Sequence, residues 1–101
     1  MDYRIDSNGT QTRVTIAGRL TFSDHGKVRN LIQEMVNSTA KRVVLDLSKL
    51  DFVDSSGLGM LLVAREELVQ SRKSFVLRGA QGQVKRVLAV AQLDKVFEIE
   101  D

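Results

Sequence analysis

The sequence predicts an α/β domain built on one mixed sheet, and three patterns carry that prediction. Branched apolar runs alternate with apolar stripes of helical spacing, an Asn-Gly pair joins the two strands that open the chain, and no proline, repeat or low-complexity segment interrupts the order. Strands separated by helices imply crossovers onto a shared sheet that is parallel in its later part, whereas the opening pair is antiparallel. The 101 residues are expected to form one domain, residues 1–101, long enough to bury a core without disulfide or metal staples.

Tyr3-Arg4-Ile5-Asp6 alternates and runs into Ser7-Asn8-Gly9, where Asn-Gly supplies the positive φ that a tight hairpin demands. Val14-Thr15-Ile16-Ala17 continues as its antiparallel partner; Gly18 is expected to break this strand and leave Arg19-Leu20-Thr21-Phe22 as a connection. Ser23 or Asp24 can cap the first helix, whose stripe is Val28, Leu31, Ile32, Met35 and Val36 and which ends at Asn37-Ser38-Thr39. Val43-Val44-Leu45-Asp46-Leu47 reads as a buried central strand. The second helix starts near Ser56 with Leu58, Leu61, Leu62, Leu68 and Val69 on one side and Arg65 on that stripe or at its edge. Ser74–Arg78 is a strand, Val84, Val87, Leu88 and Ala91 mark a third helix, and Val96–Glu100 closes the sheet.

Composition removes several function classes. The chain has no cysteine, so disulfides and thiolate metal sites are excluded, and a reducing, cytoplasmic setting is expected. The N-terminal residues Met1–Asp6 carry acids and no apolar core of a signal peptide. The longest apolar stretch, Leu61–Ala64 with Leu58-Gly59-Met60 before it, falls far short of the roughly 20 residues a membrane span needs. Fifteen basic and thirteen acidic residues are intermixed and the aromatics number only five, which argues against nucleic acid and for a solvated charged surface.

The unusual segment runs from Leu45 to Met60, with the core Phe52-Val53-Asp54-Ser55-Ser56-Gly57-Leu58-Gly59. A buried strand leads to two hydroxyls and two glycines at a helix start, where unpaired N–H groups and the positive end of the dipole are presented. Glycines there let a phosphate or another backbone come close. Asp54, Ser55 or Ser56 can equally serve as a simple cap, with the glycines serving a tight turn. No enzyme template fits. Gly-x-Ser-x-Gly fails because Val53 precedes Ser55 by two residues and Asp54 precedes Ser56 by two. Leu62 stands where a dinucleotide fingerprint needs glycine, and no Gly-Lys-Ser/Thr occurs. His25, the single histidine, reads as a surface or cap residue. Asp51 and Asp54 are not completed into a metal site by other acids. Gly79-x-x-Gly82 follows a strand rather than the helix that an RNA-binding loop of that spacing needs.

Val43–Ser48 and Phe52–Gly59, together with Gly18-Arg19-Leu20 and Val84-Lys85-Arg86-Val87-Leu88, resemble the STAS-domain family, specifically bacterial anti-sigma factor antagonists. The resemblance spans almost the whole chain. It implies a mixed sheet with helices packed mainly on one face, no enzymatic activity and no bound cofactor or metal. It also implies partner switching: the unphosphorylated protein binds an anti-sigma factor that is also a serine kinase, the kinase uses ATP and Mg²⁺ to phosphorylate the protein, and a phosphatase reverses the step. The phosphorylated serine of the family falls on Ser56, and the partner-binding residues are expected to be Thr21, Phe22, Asp54, Ser55, Ser56, Gly57 and Met60, in a monomer. One position departs from the pattern. Many members carry an acid after the Gly-x-Leu of the second strand, where this chain has Thr21, and that favours, as an alternative, a phosphorylation-independent adaptor or assembly subunit on the same fold.

The expected effect of a phosphate is local. It adds about −1.5 to −2 charges; a helix dipole offsets roughly 0.3–2 kcal/mol, and Asp51 and Asp54 oppose by about 1 kcal/mol each if within ~4 Å in water. These nearly cancel, so refolding is not expected. Burying the phosphate unpaired in an interface costs several kcal/mol, more than the ~2.8 kcal/mol of a hundredfold loss in affinity.

Overall fold

A computed structural model describes residues 1–101. Its elements are β1 (Asp2–Ser7), β2 (Gln11–Leu20), α1 (His25–Asn37), β3 (Arg42–Val53), α2 (Ser55–Gln70), β4 (Ser74–Arg78), α3 (Gly82–Val90) and β5 (Glu98–Glu100), with 3₁₀ turns at Phe22–Asp24 and Leu93–Lys95. All eight predicted elements are present in the predicted order. The sheet order is β1-β2-β3-β4-β5; β1 and β2 are antiparallel and every later pair is parallel. The hairpin forms as the sequence implies: Gly9 has φ +89°, and Asn8 Oδ1 accepts the N–H groups of Thr10 and Gln11 at 3.1 and 2.9 Å.

From β2 onward each strand lies beside its predecessor, so right-handed crossovers carry all three helices to one face. Val43, Leu45 and Leu47 of β3 join residues of α1, α2 and α3 in a single core of 21 buried side chains. The intervening residues of β3 point to the opposite face, which no helix covers. There Arg13, Val44, Val76 and Glu98 form one cross-strand row and Thr15, Asp46, Arg78 and Glu100 the next. Arg13 pairs with Asp46, and Glu100 receives Arg42 and Arg78 at 2.8 Å each. Val44 and Val76 are fully buried within this face, in keeping with long charged side chains laying their stems over apolar neighbours.

Four expectations are corrected. Gly18 does not end its strand: with φ +89° it sits among register shifts at Thr15/Ala17 and Gly18/Arg19, and β2 continues to Leu20. The extra residues lie on β3, where Asp46 to Phe52 runs opposite the shorter stretch Thr15 to Arg19; glycine in β2 accommodates the bend beside that bulge, and Arg19 packs its guanidinium 4.2 Å from the centre of the Phe52 ring. β3 likewise runs to Val53 instead of stopping at Leu47, so Asp51 and Phe52 lie on a strand and not in a loop; the ten-residue β2 gives it a partner as far as Leu20↔Val53. The buried stripe of α2 is Gly57, Leu61, Ala64 and Leu68, whereas Leu62 and Val69 are 38% and 50% exposed. Small residues set the face of that helix because they allow close approach, and a reading weighted to large apolar side chains rotates it. Finally, β5 is only Glu98–Glu100; Phe97 precedes it, buried edge-to-face on Phe75 with ring centres 6.2 Å apart.

Two predictions follow from packing and one from charge. A Cβ on Gly57 would lie 2.6 Å from Val53 Cγ2 and 2.7 Å from the Leu20 carbonyl oxygen, whereas one on Gly59 meets nothing within 4 Å. Gly57→Ala should therefore destabilise the domain by about 1–3 kcal/mol in urea unfolding, and Gly59→Ala should stabilise it by up to about 1 kcal/mol; equal effects would contradict this placement of α2. For Asp46, burial raises the carboxyl pKa, but the Ser48 hydroxyl and amide and the Arg13 guanidinium outweigh it and hold it below the usual range. A carboxyl lowered in the fold stabilises at pH above its unfolded value of about 3.9 and loses that contribution as pH falls through the folded value. Asp46→Asn should flatten the acid limb of the stability–pH curve below about pH 4, read by thermal melts.

Candidate functional site

The site is built where β2 and β3 end side by side. The Leu20 carbonyl accepts the Asp54 N–H at 3.2 Å, fastening the start of α2 to the end of β2. Asp54, with extended backbone, is the cap: its Oδ1 accepts the Gly57 N–H at 2.7 Å. On the side of β3 away from β2, β4 pairs only as far as Asp46↔Arg78. Val53 would leave its backbone unpaired there, but Gln83 of α3 supplies both partners: its Oε1 accepts the Val53 N–H at 3.0 Å and its Nε2 donates to the Val53 carbonyl at 2.9 Å. The first turn of α2 is thereby fixed from three elements.

That anchoring decides which way each residue faces. Gly57 is buried against β2 and β3, so its place among the expected partner-contacting residues is corrected: it is a packing residue, glycine because Leu20 and Val53 leave no room for a Cβ. Ser55 is exposed and Ser56 half-buried. Asp54 is half-buried with one oxygen committed to the cap. Asp51 stands exposed on β3. Met60 is half-buried and packs against the core.

The connection from β2 to α1 forms the opposite wall. Thr21 caps the 3₁₀ turn; its N–H donates to Asp24 Oδ2 at 2.9 Å. That amide leads in holding the Asp24 carboxyl below the usual range; burial opposes it, and the terminal amino group, 3.3 Å away, and the Thr21 hydroxyl reinforce it. Phe22 is 64% exposed and stacks on His25 with ring centres 5.0 Å apart, so it is a surface aromatic and not a core one.

Between α1 and α2 lies a groove of about 660 Å³ lined by Phe22, His25, Arg29, Ser56, Met60 and Val63, among others. Ser56, Gly59, Met60, Val63 and Glu67 share this side of α2, a helical spacing that was readable in the sequence but not singled out. His25, Arg29 and Val63 were missed as lining residues, and so was Gln83, for which the sequence carries no signal because its role depends on where β4 stops. Ser56 makes no hydrogen bond to His25, whose Nδ1 faces the Phe22 carbonyl at 3.1 Å, so the base–nucleophile contact of a catalytic serine is not formed. The arrangement instead presents a hydroxyl beside an apolar groove. No helix is long and apolar enough to cross a membrane.

Comparison with known proteins agrees with this geometry. A family model described as "Mlab, STAS domain" matches residues 3–99. The chain is 31% identical over 93 residues to a STAS-domain containing protein of Pseudomonas aeruginosa, covering 92% of this chain and 91% of that one. It is 32% identical over 95 residues to the anti-sigma-F factor antagonist RsfB of Mycobacterium tuberculosis, covering 93% and 75%. The crystal structure of an anti-sigma factor antagonist from Mycobacterium paratuberculosis superposes with a TM-score of 0.85 at 21% identity, over 98% of this chain and 84% of that one. With the model match spanning nearly its full length and the five-stranded mixed sheet carrying its helices on one face, this chain belongs to the STAS-domain family.

Proposed function

We propose that this protein is a non-enzymatic, cytoplasmic anti-sigma factor antagonist whose docking on an anti-sigma factor is gated by phosphorylation of Ser56. The observation that carries the reading is the position of Ser56: half-buried on the first turn of α2, at the mouth of a groove whose rim holds the exposed Phe22. RsfB, named an anti-sigma-F factor antagonist, supports the partner class. In this reading the partner kinase transfers the γ-phosphoryl group of ATP, with Mg²⁺, to Ser56 Oγ; the hydroxyl proton is lost and ADP leaves. A phosphatase returns the hydroxyl by hydrolysis to inorganic phosphate.

Docking over Ser56 uses Thr21, Phe22, Asp54, Ser55 and Met60 around the groove. Phe22 is the aromatic anchor, and Met60 adapts to the partner. The phosphate acts as a veto, since covering a dianion that the docking protein does not itself pair costs several kcal/mol while the fold beneath, pinned by Asp54 and Gln83, stays as it is.

A second reading, a phosphorylation-independent adaptor or assembly subunit, is favoured by Thr21, which stands where many members carry an acid and whose amide and hydroxyl are engaged with Asp24.

Ser56→Asp should leave the circular dichroism spectrum and melting temperature near wild type, and should lower recovery of a kinase-type partner from native lysate by about a hundredfold in affinity; equal recovery with wild type, Ser56→Ala and Ser56→Asp ends the gating reading. Mass spectrometry of the native protein separates the two: phosphate on Ser56 is expected for the antagonist and none for the adaptor. Phe22→Ala should weaken the same partner by about 2 kcal/mol or more with little change in stability, because the ring is exposed.

A further inference from the structure

Outside the residues already assigned, the groove holds one guanidinium with no role in the fold. Arg29, on α1, is exposed and enters none of the ion pairs of the structure, whereas Arg13, Arg42 and Arg78 are all paired. It nevertheless lines the same groove as Ser56. The two helices follow parallel strands, so they run side by side in one direction, with their N-termini at the same end of the sheet. His25 and Ser56 both stand at those N-termini. Arg29 lies one turn further along α1, about 6 Å. Side chains of a helix lean towards its N-terminus, so an arm as long as that of Arg29 can reach back to the level of Ser56.

We infer that Arg29 is the intramolecular acceptor of the phosphate on Ser56, pairing with it across the α1–α2 groove and closing the groove over Met60 and Val63. This rests on the reading of Ser56 as the modified residue and specifies how the modification acts. A guanidinium matches phosphate geometry with two parallel N–H donors. Among the other charged groups, Asp51 is exposed on β3 and the terminal amino group is held by Asp24. His25 offers its second ring nitrogen, the first being turned to the Phe22 carbonyl. The carboxylates of Asp54 and Asp24 are engaged by the Gly57 and Thr21 amides. Glu67 lies eleven residues along α2 from Ser56, about 16 Å away along the helix axis, too far to compete for Arg29 at the groove mouth. The phosphate then works twice: it adds charge to the docking surface, and through Arg29 it occupies the space an apolar anchor from the partner needs.

The test uses the full chain carrying phosphoserine installed at position 56 during translation, with no partner present. The ³¹P resonance is titrated at low ionic strength, where a partly exposed pair is least screened, in the wild-type background and in Arg29→Gln. The second phosphate pKa, ordinarily about 6, is expected about half a unit or more lower with Arg29 than without it, and Arg29→Lys should recover part of the difference. Identical titrations for the wild type and Arg29→Gln overturn the inference. Arg29 is exposed, so the variant keeps its fold, which its melting temperature verifies. The experiment involves no binding partner, so a missing Arg29 effect leaves phosphate gating standing. Equal partner recovery with Ser56→Asp would remove gating without touching this measurement.

Discussion

The arrangement depends on one close approach: the first turn of α2 rests directly on the ends of β2 and β3, with the α-carbon of Gly57 against the Leu20 carbonyl and the Val53 side chain. That contact admits no side chain at position 57. It also explains why the neighbours of Gly57 face as they do. With Gly57 turned inward, Ser56 is carried a third of a turn away, to the groove side, and Ser55 to solvent. The same Leu20 carbonyl accepts the Asp54 amide, so the strand end that sets the height of the helix also sets its cap.

The fold was legible because its signals are local. Asn8-Gly9 announces a hairpin by backbone conformation alone, and the stripe Val28, Leu31, Ile32 and Met35 announces α1, all four being buried as expected. What escaped reading was set by distant partners. Gly18 looks like a strand end in isolation, yet β3 bulges opposite it and pairing carries the strand past it. The orientation of α2 was misjudged because its inner face is marked by Gly57 and Ala64, whose contribution is absence of bulk, while Leu62 and Val69 lie outside.

The candidate site divides along the same line. Ser56 and the Asp54 cap could be identified from a strand–hydroxyl–glycine–helix sequence, because helix starts have chemical requirements that a short motif displays. An apolar Phe22 or Met60 suits a core as well as a surface, and only the packing separates them, the first exposed and the second leaning on the core. Arg29 carried no sequence mark at all: it is an ordinary charged residue on the polar side of a helix until α2 is placed beside it.

The Gln83 amide has a consequence for how the molecule responds to force. Because β4 is short, the main chain beneath the serine is completed by a side chain from the helix that comes last in the sequence. Prising α3 from the sheet would strip Val53 of both partners and loosen the floor on which the second helix stands, with nothing having touched the groove. The serine's platform is thus mechanically wired to the rear of the domain, and its stiffness is a property of the whole chain.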